Sequence, residues 1–222
     1  VADAALAPQR VAELAEQMGV VLAPAASAAL VAHAQLLRRW NRVHNLTAIA
    51  SDQEYLTHHL LDCLAIIHPL DAALRAQGPR VNFLDAGSGG GLPGIVLAIA
   101  RPQWQATLVD AVQKKCAFLQ QAAVELGLRN TRVLHARLET LAEPHQDLIV
   151  SRAFASLRDF VACTRNCLHP QGIWAAMKGR VPAGEIAELP RDVQLLDTIT
   201  LRVPLLAEER HLVILGRRPA ND

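Results

Sequence analysis

From residue 81 onward the chain alternates short apolar runs with amphipathic ones. The first alternation turns on five small residues, in NFLDAGSGGGLPGIVLAIA at residues 82–100. A strand, a glycine turn and a helix, repeated, can bury both faces only by right-handed crossovers into a mostly parallel sheet. The spacing predicts strands over residues 81–86, 105–110, 131–135, 147–150 and 173–177. Helices are predicted over 93–100, with Pro93 in the first turn, over 113–126, closed by Gly127, and over 156–168, ended by Pro170 and Gly172. Two further strands, 193–203 and 211–215, are joined by PLLAEER. That link is too short for a crossover helix, so the sheet is expected to finish in an antiparallel hairpin.

The first 75 residues carry a different period. Apolar stripes mark helices over 8–19 (Val11, Leu14, Ala15, Met18), 24–43 (Leu30, Ala34, Leu37, Trp40) and 52–68 (Leu56, Leu60, Leu64, Ile67), the last stopping before Pro69. Residues 1–75 thus read as a helical cap on a core of residues 76–222, the two forming one body. Half of the 222 residues are apolar and the net charge is +1, so no basic excess advertises nucleic acid. Charge is still locally clustered: Arg38, Arg39, Arg42 and His44 lie together, as do Lys178 with Arg180 and Arg210 with His211. Solvated faces and a binding patch explain these clusters equally well. Cys63, Cys116, Cys163 and Cys167 form no CxxC pair and read as reduced thiols; Cys163 and Cys167, one turn apart, lack the further ligands of a metal site. No apolar run approaches a membrane span and no secretory pattern stands at Val1, so a cytoplasmic, membrane-free protein is expected.

Three ligands compete for the glycine turn. A phosphate loop of the GxxxxGK[ST] type is excluded because no lysine follows the glycines. A dinucleotide fingerprint fits by letter, from Gly89 to Gly94, with Asp110 about twenty residues on. S-adenosylmethionine is the third. Asp85, just before the turn, favours it, because a carboxylate facing the site opposes a diphosphate and suits an ammonium and a sulfonium. Gly87 and Gly89 permit positive φ and a close approach to a ligand. Asp110 ends the second strand, where it can accept both ribose hydroxyls of either adenosine ligand, or cap the helix that follows.

Several segments together are similar to one family: WNRVHNLTAI (40–49), HLLDCL (59–64), LDAGSGGGLPGIVLAIARP (84–102), LVDAVQKKCAFL (108–119), RLE (137–139), SRAFASLRDF (151–160) and AAMKG (175–179). They resemble the bacterial small-subunit ribosomal RNA N7-guanine methyltransferases, also called glucose-inhibited division protein B. The family often has Ser where this chain has Cys63 and Ala111. The resemblance implies a class I, Rossmann-like fold that binds S-adenosyl-L-methionine and methylates N7 of one guanine in 16S ribosomal RNA, as free RNA or in the small subunit. It carries the cofactor contacts to Gly87, Leu92, Leu138, Glu139 and Arg152, with Leu138 and Glu139 at the adenine end and Arg152 by the methionine. It also points to His59, in the family's HxLD pattern, as a functional residue.

The residues add their own expectations. Arg152, between a strand and a helix, can fork onto a carboxylate or form a surface ion pair. Phe154 can stack on the target base or pack in the core. Guanine N7 has a free lone pair, so the reaction needs alignment and not a general base, and no catalytic residue is assigned beyond Arg152 and Phe154 as candidates. Because N7 is inaccessible in an A-form groove, the base must be unpaired. RNA contacts are expected at Arg39, Arg42, His59, Lys178 and Arg180, with RNA and not DNA as partner and a monomer as the working unit. An NAD-dependent oxidoreductase lacks chain for a second substrate domain. A small-molecule methyltransferase and a non-catalytic, S-adenosylmethionine-binding RNA-binding protein remain as rivals.

Overall fold

The computed structural model describes residues 6–48, 51–141, 145–152 and 154–219; the ends of the expected cap and core, 1–5 and 220–222, lie outside them. Strands β1 (Asn82–Ala86), β2 (Gln105–Asp110), β3 (Thr131–His135), β4 (Gln146–Ser151), β5 (Leu168–Lys178), β6 (Val193–Leu201) and β7 (Arg210–Arg217) make one sheet in the order β3-β2-β1-β4-β5-β7-β6. The first five are parallel, and β7 runs antiparallel to both β5 and β6. The tail is thus the expected hairpin, with its second strand inserted beside β5. Strand order reverses at β1, where a chain going one way reaches β2 and β3 and going the other reaches β4. A crevice opens there at the carboxyl ends of the strands.

In the cap, α1 (Pro8–Glu16) buries Val11, Leu14 and Ala15, and α2 (Pro24–His44) buries Leu30, Ala34 and Leu37. Both start on a proline, whose missing N–H is an orphan there anyway. The helix expected over 52–68 is broken. Ser51 and Glu54 form a capping box that opens α3 (Asp52–Glu54). A π-helical stretch, Tyr55–Leu61, follows and leads into α4 (Asp62–Leu64). A new helix, α5 (Ile67–Ala73), contains Pro69. Pro69 does not end a helix because it stands in the first turn of the next one, where no N–H is needed.

Helices α6 (Gly94–Ala100), α7 (Gln113–Glu125), α8 (Leu157–Thr164) and α9 (Ala183–Ala187) complete the chain. The helix expected to 168 stops at Thr164, and Pro170 and Gly172 lie inside β5. The pairing explains this: Gln146 faces Leu168 while Leu148, two residues on, faces Ile173, so β5 bulges between them. A bulge needs no ladder N–H from proline. One apolar layer joins the cap to the sheet through Leu30, Leu37, Leu60, Ile95 and Phe118. The other, on the far face, holds Leu84, Ile149, Phe160, Trp174 and Val213. Each such fully buried side chain contributes about 1.5–3 kcal/mol.

Candidate active site

The turn after β1 is built from its own backbone. Gly87 and Ser88 donate their N–H groups to the Val109 carbonyl at 3.0 and 2.9 Å, and Gly91 donates to Ser88 at 2.8 Å. Ser88, itself buried, donates its hydroxyl to the Asp85 carbonyl and accepts from Val109 N–H. Gly87 and Gly89 have φ of 74° and 55°, the left-handed region that glycine enters freely. A Cβ placed on Gly87 would meet nothing within 4 Å, because that side is open to a cleft.

The cleft has a volume of about 370 Å³, within the range of small-ligand sites. It is lined by Gly87, Asp110, Leu138, Glu139 and Phe154, five residues singled out in the sequence, and also by Lys115 and Arg137, which were not. Asp110 is 5% exposed. Its Oδ2 accepts from Gly89 N–H at 3.0 Å and its Oδ1 from Val112 N–H at 2.9 Å, with Lys115 Nζ 3.8 Å away. It therefore organises both the turn and the start of α7. A carboxylate has about four lone-pair sites, so acceptor capacity remains for a diol. Leu138 and Glu139 come from a single 3₁₀ turn, Leu138–Thr140, which places an apolar wall and an acid side by side. Phe154 is half-buried, its ring 5.2 Å from that of Phe160, so it packs on the core and faces the cleft at once.

Four expected cofactor contacts, Asp85, Gly89, Leu92 and Arg152, stand elsewhere. Asp85 does not line the cleft. It is 1% exposed, its Oδ2 accepts from Gly94 N–H at 3.0 Å, and burial pushes its carboxyl up to about 7 against that bond and the Arg152 charge. The expectation that its carboxylate faces the ligand is therefore corrected: it accepts the first N–H of α6, while Ile95 N–H donates to the Gly91 carbonyl, so these groups of the helix start are spent internally. Gly89 and Leu92 shape the turn from beneath, Gly89 through Asp110 and Leu92 by its buried side chain. The donor set of the cleft fits a nucleoside with a free diol, held by a carboxylate, bare backbone and apolar walls.

Arg152 lines a second cleft, of about 410 Å³, with His59, Asp62, Lys178 and Arg210. Its Nη1 donates to the His58 carbonyl at 3.0 Å and lies 3.3 Å from His59 Nδ1 and 4.0 Å from Asp62. His59 and His58 lie on the π-helical stretch, a feature often found at functional sites. His59 is buried, bonded to Thr47 at 3.0 Å and edge-on to Tyr55. Burial first, then the Arg152 charge, lowers its pKa to about 4, so the ring is neutral. Burial also raises Asp62, against the pull of Arg152 and Arg210. Phe154, in the lining of the first cleft, is tied to the second by its carbonyl, which accepts from Lys178 Nζ at 3.4 Å. Asp62 and Arg210 gave no signal as a pair; they stand 148 positions apart in the sequence.

The expected RNA contacts do not form one patch. Arg39 lines a groove between α2 and α7 with Trp40 and His44, and its guanidinium donates to Glu125 at 3.0 Å. Arg42 is exposed on the same helix, and Arg180 is exposed beyond β5. His59 and Lys178 belong to the second cleft. A residue missed altogether is His33, fully buried on α2, whose Nε2 lies 2.9 Å from the Gly90 carbonyl. Its place in the Leu30–Ala34–Leu37 stripe was the available signal. Among the described residues no group of three or more His, Cys, Asp and Glu is placed to hold a metal, and no helix is long and apolar enough to cross a membrane.

A family model described as GidB, rRNA small subunit methyltransferase G, matches residues 26–213. Ribosomal RNA small subunit methyltransferase G of Acidovorax ebreus (strain TPSY) is 49% identical over 213 residues, 93% of each chain. That of Neisseria gonorrhoeae (strain NCCP11945) is 46% identical over 201 residues, 90% of this chain and 94% of the relative. Among solved structures, the ribosomal protein L11 methylase of Lactobacillus delbrueckii subsp. bulgaricus superposes with a TM-score of 0.52 at 17% identity, over 77% of this chain and 81% of that one. TrmN of Thermus thermophilus gives 0.51 at 21% identity, over 73% and 53%. The solved structures share the class I methyltransferase fold with this chain. By sequence, the chain belongs to the rRNA small subunit methyltransferase G family.

Proposed function

We propose that the protein transfers a methyl group from S-adenosyl-L-methionine to N7 of a guanine in 16S ribosomal RNA. The observation that carries this is the nucleoside-sized cleft in which Asp110 and the open backbone of Gly87 face Leu138 and Glu139, in a chain of this family. Asp110 would take the ribose hydroxyls, Leu138 and Glu139 the adenine end, and Gly87 the approach of the ligand to backbone. When bound, the cofactor supplies an electrophilic methyl on a sulfonium. The protein's part is alignment and exclusion of water, worth several kcal/mol of a barrier. Phe154, which lines the first cleft and whose carbonyl is bonded to Lys178 of the second, would stack on an unpaired base. The neutral His59 ring has no proton to remove, because N7 presents a lone pair. Arg39, Arg42, Lys178 and Arg180 are read as contacts to the RNA backbone, and the protein as a cytoplasmic monomer without a DNA partner.

The test is to incubate the protein with S-adenosylmethionine labelled in the methyl group and small ribosomal subunits from cells lacking the activity. Label is expected in 16S RNA, at a guanine that borohydride and aniline then cleave. Label found only in a small metabolite would reject the RNA substrate in favour of a small-molecule methyltransferase. RNA binding with no transfer to any acceptor would leave a non-catalytic binding protein. Light scattering that gave more than one chain's mass would reject the monomer.

A further inference from the structure

One ring nitrogen in the second cleft has two neighbours that require opposite things of it. His59 Nδ1 lies 3.3 Å from Arg152 Nη1 and 3.0 Å from the His58 carbonyl oxygen. A guanidinium only donates and a carbonyl only accepts. Burial first, then the Arg152 charge, keeps the ring neutral, so it has one proton for its two nitrogens. With that proton on Nε2, Nδ1 accepts from Arg152 and its lone pair faces the His58 carbonyl. With the proton on Nδ1, it bonds the carbonyl, and two N–H groups face each other across 3.3 Å. Neither tautomer suits both neighbours, so each goes with a different place for Arg152.

The partner of Nε2 suits both tautomers. It is the Thr47 hydroxyl, 3.0 Å away, which accepts from Nε2–H and donates to a bare Nε2. Thr47 is itself held in place. Its own N–H donates to Asn41 Oδ1 at 2.8 Å, and the His44 carbonyl, three residues earlier, accepts from Lys114 Nζ at 2.9 Å. Between them Asn45 turns the chain at the end of α2, with φ of 49°. Residues 44–47 thus form a strap pinned to α2, to α7 and to the π-helical stretch. The His58 carbonyl is also served either way, by Arg152 at 3.0 Å or by Nδ1–H. Only Arg152 changes partner, held on the cap in one tautomer and released in the other. β4, which Arg152 follows, pairs with β1, which Gly87 follows, so a released Arg152 stands one strand from the glycine turn.

We propose that Thr47 is a positioning residue for the transfer: its hydroxyl lets His59 exchange tautomers, so that Arg152 leaves the cap for the carboxylate of the cofactor. This rests on the function proposed above. The exchange takes one proton from Nε2 and returns one to Nδ1 by way of solvent water, and no charge changes. The ligand binds the released form, so it draws the ring to the Nδ1–H tautomer. Long-range proton–nitrogen correlation spectra separate the two tautomers, and His59→Gln identifies the signal. In the native protein the ring is expected mainly as Nε2–H, and as Nδ1–H once S-adenosylhomocysteine is added. Thr47→Val removes the hydroxyl, and a buried N–H without an acceptor is less well tolerated than a bare acceptor. The free variant is therefore expected to show Nδ1–H already. Calorimetry is expected to find S-adenosylhomocysteine bound about threefold more tightly by it, since no held form competes. Thr47→Ser matches the native protein in both readouts. A hydroxyl that only braced the cap would do the opposite, with weaker binding and a lower melting temperature in Thr47→Val, and that result overturns the proposal. So does a native ring whose tautomer is the same with and without bound S-adenosylhomocysteine. If the native protein gave no heat with S-adenosylhomocysteine, the cofactor reading would fall by itself. The free proteins then decide, and a Thr47→Val spectrum like the native one overturns the role of Thr47.

Discussion

His33 Nε2 lies 2.9 Å from the carbonyl oxygen of Gly90, so a fully buried side chain of the cap is tied to the turn that shapes the candidate cofactor cleft. A carbonyl only accepts, so a proton sits on Nε2. Burial lowers its pKa to about 4, against the pull of the Gly90 bond. The unfolded chain has an ordinary histidine near 6.5. Between these two values the unfolded state takes up a proton that the folded state refuses, so stability falls as pH drops through that window. One residue contributes about 1.4 kcal/mol per pH unit. His33→Gln keeps a donor for Gly90 and removes the titration. In urea melts the gap between native protein and variant is expected to close as pH falls from 6.5 to 4. Parallel curves would refute the assignment.

Asp85 titrates in the opposite sense. Its folded pKa, about 7, is above the unfolded value of 3.8, so the folded state takes up a proton first as pH falls. Its effect therefore stabilises the fold progressively from pH 7 down to about 4. Asp85→Asn removes this, so the difference between native protein and variant is expected to move in favour of the native protein over that range. The same melts read it, and a constant difference would show that Asp85 is ionised throughout.

Asp110 is asked to do two things, and Asp110→Asn separates them. Asn can still accept from Gly89 or Val112 with its one oxygen, while the charge and the second acceptor are lost. Affinity for S-adenosylhomocysteine is expected to fall by about 1.5–3 kcal/mol, the range for a hydrogen bond to a charged group. Thermal stability should drop by less, about 1 kcal/mol. If calorimetry found full affinity in a destabilised variant, Asp110 would be a brace for the turn and α7 and not a ligand contact.

How much of this was legible depends on whether a residue's role is local. β2 and β3 fall at their expected bounds and β1 within one residue, because adjacent apolar residues such as Phe83 and Leu84 in β1 or Leu108 and Val109 in β2 mark strands buried on both faces, and turn signals flank them. In the first cleft, Gly87 and Asp110 were legible because each ends or follows a strand that the pattern located, whereas Leu138 and Glu139 came from the family resemblance alone. Arg152 lines the second cleft and not the first, because successive residues point to opposite sides of a strand. Ser151 turns in toward the Ala86 carbonyl, at 3.0 Å, and Arg152 turns toward the cap. The π-helical stretch and the β5 bulge depend on packing against distant segments, and a period of residues along one segment carries no trace of that. Asp62 with Arg210 is the same kind of fact, a pair made by topology alone.

Gly94 is constrained by space rather than by φ. A Cβ there would stand 2.3 Å from Leu108 Cδ2 and 2.5 Å from Asp85 Oδ2, where β1, β2 and α6 come together. Gly94→Ala is expected to cost about 1–3 kcal/mol or more in urea unfolding, as overpacking does. Binding of S-adenosylhomocysteine should weaken with it, because the shifted helix carries the turn. A variant of native stability would mean that α6 moves away from β1 without strain, contrary to the contact seen.

Phe154 lines the first cleft, its carbonyl accepts from Lys178 of the second, and its ring already has one partner in Phe160. Phe154→Leu keeps an apolar side chain against the core and removes the aromatic face. If the ring stacks on the flipped guanine, the variant loses about 1–3 kcal/mol of that contact. The loss is expected in KM for the RNA and in kcat, with S-adenosylhomocysteine affinity and melting temperature nearly unchanged. If the ring instead walls the nucleoside, S-adenosylhomocysteine affinity falls and KM for the RNA holds. If it only packs, melting temperature falls and both kinetic constants hold. The three outcomes exclude one another because the core, the nucleoside cleft and the RNA are read by three separate measurements. The first is expected, since Phe154 lines the cleft of Asp110 while its carbonyl is bonded to Lys178, in the cleft of Arg210.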